Sequence, residues 1–158
     1  MNRMSIAGHP IHPMLVTLPI GLWVFSLVCD FVFVRTGNAE WQTTAYLTLG
    51  GGIVGALLAA IPGLIDLLTL HEGTERRTGV AHMTLNLVIV AIQVVNFWLR
   101  TTSAYSVGLA LGLSIVAVAA LVVSGWLGGQ LVHVLGVTQP HREAADAAAA
   151  ANRLHPHG

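Results

Sequence analysis

Thr43–Leu70 reads TTAYLTLGGGIVGALLAAIPGLIDLLTL, an apolar run in which Asp66 is the sole charged residue. A helix needs about 20 residues to cross a bilayer core, and this run exceeds that. Pro13–Val34, Val80–Leu99 and Tyr105–Val137 read the same way. Four spans threaded alternately bring the chain back to the side on which it starts. The sequence therefore predicts an all-α integral membrane protein: a four-transmembrane-helix bundle with both termini on one side. Residues 1–138 form the bundle. Residues 139–158 form an alanine- and histidine-containing tail, flexible or a frayed helix.

Composition agrees. Charged residues make up 9% of the 158 positions and hydrophobic ones 54%, whereas a soluble domain carries about a quarter charged residues. The length suits one domain. Formal charge is zero and no basic stretch could follow a phosphate backbone, which excludes nucleic acid as a partner. Cys29, the one cysteine, lies inside the first span and reads as a small packing residue. That first run is too long, and begins too polar, for a cleaved signal peptide, so it is read as a retained span.

The ends of the spans are unequal. His9, His12, His71, His82, His133, His141, His155 and His157 all fall on one face, side A, and the loops near Thr36–Trp41 and Arg100–Ala104 on side B hold no histidine. Lysine is absent; Arg3, Arg76, Arg77, Arg142 and Arg153 lie on side A, Arg35 and Arg100 on side B. The positive-inside tendency then places both termini and the histidine face in the cytoplasm.

Helical phase sorts the polar residues. His12, Pro19, Trp23, Ser26 and Asp30 share one face of the first span, and His82, Asn86, Gln93, Asn96 and Arg100 one face of the third. Thr48, Gly55, Ala59, Pro62 and Asp66 align in the second; Gly108, Ile115, Ala119, Trp126 and His133 align in the fourth, with Gln130 close by. Such faces should point inward, where bundles build cofactor and metal sites. Pro19 and Pro62 should kink their helices and free backbone carbonyls. The fourth run would reach roughly 50 Å, so it emerges on side A or breaks near Gly128–Gly129. Gly51, Gly55, Ala59 and Gly63, then Gly108 and Gly112, then Gly125 and Gly129, are spaced by four, fit for close packing inside the monomer or across a homodimer seam.

His82 is the first candidate ligand, with Asn86 one turn deeper. His12 occupies the N-cap position before Pro13, in a stiff His-Pro-Ile-His-Pro entry, where the positive end of the helix dipole is expected to disfavour imidazolium. Asp66 is expected to partner His82, or else Arg76 or Arg77. Asp30 and Arg100, each 18 residues from a side-A histidine, are expected to form a structural salt bridge.

His9-Pro-Ile-His-Pro13 before an apolar span resembles the opening motif of the bacterial membrane family called domain of unknown function twenty-two thirty-one. Gly63-Leu-Ile-Asp66, the Arg76–Arg77 loop, His82 with Asn86, and Gly125-Trp-Leu-Gly-Gly129-Gln-Leu-Val are similar to its later motifs. The resemblance covers nearly the whole chain and implies four spans in a bacterial inner membrane. Some members are fused to Rieske-type iron–sulfur domains, which implies electron transfer. Where many members carry a tyrosine and a basic residue, this chain has His133-Val134.

The leading functional expectation is a b-type haem protein for membrane electron transfer. His12 and His82 would be axial ligands, Arg76 and Arg77 would meet the propionates, and Asn86 would stand beside the ring. Membrane lipid surrounds it, and a quinone, an iron–sulfur protein or another redox carrier would be its partner. The alternative is a zinc, copper or iron site drawn from His9, His12, His71, His82, His133 and Asp66. A third reading is a non-catalytic helical accessory or scaffold subunit. An electron-transfer or binding role is favoured over a stand-alone enzyme, because helical phase brings no nucleophile and base together.

Overall fold

The side-B turn between the first two spans is made by two residues. Gly37 adopts a left-handed backbone, φ 69°, which a residue with a Cβ rarely takes. Its N–H closes on Phe33 O at 2.8 Å. Asn38 then caps the next helix, its side chain accepting from Glu40 N–H at 2.9 Å.

A computed structural model of the protein describes residues 5–6, 9–70 and 72–134, with side chains over 11–70 and 72–132. Strands β1 (Ser5–Ile6) and β2 (His9–Pro10) pair antiparallel in a two-residue ladder, a small addition to the all-helical expectation. The helices are α1 (Ile11–Leu15), α2 (Thr17–Thr36), α3 (Ala39–Leu68), α4 (Thr74–Leu99) and α5 (Val107–Gly129). A π-helical turn, Gln130–Val134, follows α5, so the long fourth run changes its winding directly after Gly128–Gly129. Four segments are long and apolar enough to cross a membrane: Ile11–Thr36, Ala39–Leu68, Thr74–Leu99 and Val107–Val132. The chain is a four-span membrane bundle.

Each helix packs on the next and α5 returns to α2, which closes the ring. Three layers fill it. One residue from each helix, Trp23, Leu49, Ile89 and Ala117, forms an apolar middle layer. Below it, toward side B, Arg100 grips Asp30 through Nη1–Oδ1 at 2.8 Å and Nη2–Oδ2 at 2.6 Å. Ser114 donates to the same carboxylate at 3.0 Å, and Asn96 accepts from Arg100 Nε at 3.2 Å. This is the expected salt bridge, fully sheathed in hydrogen bonds, as an ion pair in lipid must be. Above the middle layer lies the histidine end.

The inward faces of α2, α3 and α4 follow the predicted phases: Trp23, Ser26 and Asp30; Gly55, Ala59 and Pro62; Gln93 and Asn96 are buried. The fourth span departs from its prediction. Ile115 and Trp126 are 43% and 71% exposed, and Gly108 and Ala119 are exposed with them. The buried face is Ala110, Ser114, Ala117 and Ser124. In a helix with no strong polar residue before Gln130, the two serine hydroxyls, which need partners in lipid, set the inward direction.

Small residues of α3 seat side chains of α2 and α1. Trp23 Nε1 donates to Leu49 O at 3.2 Å and Ser26 Oγ to Ala45 O at 2.8 Å. A Cβ on Gly55 would meet Leu18 at 3.1 Å, and one on Gly52 would collide with the Trp23 indole. The α3 glycine stripe is therefore an internal seam of the monomer.

Candidate functional site

At the side-A end, the bundle encloses a cavity of about 480 Å³. That is within the range of small-molecule and cofactor sites. Its walls are overwhelmingly apolar and come from all four spans; the polar side chains reaching it are His12, Asp66, His82, Asn86 and Ser124.

His12 is the second residue of α1 rather than the N-cap, because the helix begins one residue earlier, at Ile11. A break at Val16, three residues before Pro19, separates α1 from α2 and lets α1 lean toward α3. Nδ1 of His12 lies 2.8 Å from Ala59 O. That carbonyl lies in the turn before Pro62; the acceptor that Pro62 itself leaves without an N–H is Leu58 O, one residue earlier. The ring fits because residue 63 is glycine: a Cβ there would stand 2.7 Å from its Cε1 and Nδ1.

His82 is held the same way from the opposite wall. Its Nδ1 lies 2.9 Å from Ser124 O and 3.1 Å from Ser124 Oγ. Its Nε2 meets Asn86 Nδ2 at 3.0 Å, and Ser124 Oγ donates to Asn86 Oδ1 at 2.9 Å. Gly128 leaves room for the ring, a Cβ there standing 3.1 Å from Cε1. Ser124 and Asn86 are thus the partners of the two His82 nitrogens, where the sequence pointed to Asp66. Ser124 is the residue sequence reasoning missed, and its hydroxyl stands 3.1 Å from His82 Nδ1 where helical phase was expected to bring no nucleophile and base together; the signal was a serine in helical phase with Ala117 and Ala110.

A neutral imidazole that donates from Nδ1 to a carbonyl carries its lone pair on Nε2, the state in which histidine binds a metal. Both rings present Nδ1 to a backbone carbonyl. Their centroids are 6.3 Å apart and their planes cross at 88°. Histidines from α1 and α4, 70 residues apart in sequence, converge here as the sequence implied.

Of the other predicted residues, Asp66 lines the cavity. Arg76 and Arg77 are exposed in the first turns of α4 and do not line it, so the expected propionate contact is not built into the walls. The side chains of His9 and His133, and all of His71, lie outside the described residues, as do His141, His155 and His157. Among the described residues, no three His, Cys, Asp or Glu side chains come together to hold a metal ion.

A family model described as Predicted membrane protein (DUF2231) matches residues 8–140. The chain belongs to that family. No curated protein and no solved structure matches it.

Proposed function

We propose that this member of the DUF2231 family is a membrane-embedded b-type haem protein serving electron transfer, with one haem near its histidine side. The observation that carries this reading is the pair His12 and His82. Two imidazoles from different helices, each tied by Nδ1 to a neighbour's backbone carbonyl, flank one apolar cavity. Their ring centroids stand 6.3 Å apart, and these two residues would hold the iron. The volume and apolar walls suit a porphyrin ring.

Haem would supply a one-electron couple in the membrane. The protein's share is to hold the ligand rings, exclude water and tune basicity through the Nδ1 bonds. His82 would offer Nε2, which Asn86 Nδ2 now meets at 3.0 Å, to the group, and Asn86 also bonds His82 O at 3.0 Å. No arginine lines the cavity among the described residues, so the propionates would have to find their partners outside those walls. A quinone or an iron–sulfur protein is the redox partner in this reading, with the histidine side cytoplasmic in a bacterial inner membrane. A zinc, copper or iron ion held by His12, His82 and Asp66 is the lesser reading, because the walls are too apolar to complete a small ion's shell.

The absorption spectrum of protein purified after haem-replete expression tests the proposal. A Soret band that sharpens with dithionite, and falls at least tenfold in His12→Ala and His82→Ala, is expected. No band, and no gain on hemin titration, refutes it.

A further inference from the structure

We infer that the cavity is filled from the membrane, through a lateral window between α2 and α5 at Gly125 and Gly129; the choice of haem as the occupant rests on the function proposed above. The bundle has four seams, and glycines show how each is closed. In the seam of α1 and α2 with α3, Trp23, Leu18 with Pro19, and His12 press on Gly52, Gly55 and Gly63. In the α3–α4 seam, Leu67 and Leu70 press on Gly79, a Cβ there standing 2.8 and 3.0 Å from them. In the α4–α5 seam, His82 presses on Gly128 and bonds Ser124. The α2–α5 seam differs: a Cβ on Gly125 or Gly129 would meet no atom of the described residues within 4 Å.

Helix phase gives the direction. Ser124 and Gly128 turn toward α4, and about 100° further round, at 3.6 residues per turn, Gly125 and Gly129 turn toward α2. Both glycines line the cavity, facing Val16 and Ile20 of the opposite wall. Gly125 is exposed, and Ile20 is 39% exposed while lining the cavity; Leu87 of α4, 58% exposed, lines it too but carries a bulky side chain where Gly125 carries none. Residues at once on the lipid-facing surface and on the cavity wall mark an opening at membrane depth. Behind it the floor is shut by Trp23, Leu49, Ile89 and Ala117, so side B gives no route. A flat apolar molecule dissolved in the bilayer can pass here without crossing water; a hydrated ion cannot.

The test uses the full-length protein in liposomes preloaded with hemin, with uptake followed by the Soret shift. Gly125→Phe fills the window, and Gly129→Leu is a second block should the first misfold. Gly108→Phe is the control, since a side chain there also meets nothing within 4 Å and residue 108 does not line the cavity. Uptake slowed at least tenfold by the window variants and unchanged by the control is expected; equal rates overturn the inference. Should the wild type take up no hemin, the haem reading fails and the window is tested separately. A Trp41→Phe, Trp98→Phe, Trp126→Phe chain keeps Trp23, which is 3% exposed and lines the cavity. Iodobenzene dissolved in the bilayer should quench Trp23 on contact, at least fivefold less after Gly125→Phe, while aqueous acrylamide should not. Quenching by acrylamide alone, or quenching by iodobenzene that Gly125→Phe leaves unaltered, overturns the window.

Discussion

Gly63→Ala is the sharpest probe of the site, because one methyl group separates the seating of His12 from the fold around it. The new Cβ would stand 2.7 Å from Cε1 and Nδ1 of His12. Ordinary heavy-atom contact begins at about 3.5 Å, so the ring must retreat by about 0.8 Å. A movement of that size along the bond stretches the 2.8 Å contact with Ala59 O to about 3.6 Å, outside hydrogen-bond range. The lost bond is worth about 0.5–1.5 kcal/mol and the overpacking about 1–3 kcal/mol. Together they give a destabilisation of about 1.5–4.5 kcal/mol. Gly112→Ala is the reference: it makes the same change of residue in a helix at a position where a Cβ meets nothing within 4 Å. The assay is unfolding in mixed detergent–SDS micelles, paired with hemin titration. Gly63→Ala should be less stable than Gly112→Ala by that margin. It should also bind hemin at least tenfold more weakly, since the ring loses the bond that fixes its tautomer. If the two variants agree within about 0.5 kcal/mol and bind hemin alike, the seat described for His12 is wrong.

Three further outcomes follow from the same geometry. Arg100→Met strips the Asp30 carboxylate of two of its donors and should cost about 3–5 kcal/mol in the same assay, while Asp30→Leu/Arg100→Met should cost at least about 2 kcal/mol less than the two single changes summed; additive costs would mean that the pair is not coupled. Gly52→Ala forces the Trp23 indole off Leu49 O and should destabilise the bundle by about 1–3 kcal/mol, and an unaltered unfolding midpoint would contradict the packing of that seam. Asn86→Ala removes the group competing for His82 Nε2 and should tighten hemin binding about fivefold, the equivalent of one modest hydrogen bond. A tenfold loss in its place would show that Asn86 holds the ring ready for its ligand.

How far the sequence carried can be judged residue by residue. His12 and His82 were found because each follows the polar phase of its own span, and lipid forces such a stripe inward. Asp30 and Arg100 were paired by depth alone, 18 residues below the histidines. The fourth span resisted that treatment. Gly108, Ile115, Ala119 and Trp126 form a regular line, but lipid accepts small and aromatic residues as readily as the interior does, so the line carried no direction. Ser114 and Ser124 carried it, through partners on other helices that no single-helix projection shows. Asp66 is a related case: its phase was right, and His82 found closer donors and acceptors in Ser124 and Asn86.

What the sequence determined by itself is the number of spans, the change in the fourth run after Gly128–Gly129, and the polar phases that bring His12 and His82 to one end. These depend on local quantities: run length, proline and glycine placement, and the cost of polar groups in hydrocarbon. Only the tertiary structure decided which carbonyls hold the imidazoles, which glycines are filled and which stay open, and that an apolar floor isolates the histidine cavity from the ion pair. Those outcomes depend on the register between helices, which is fixed by contacts between residues distant in the chain.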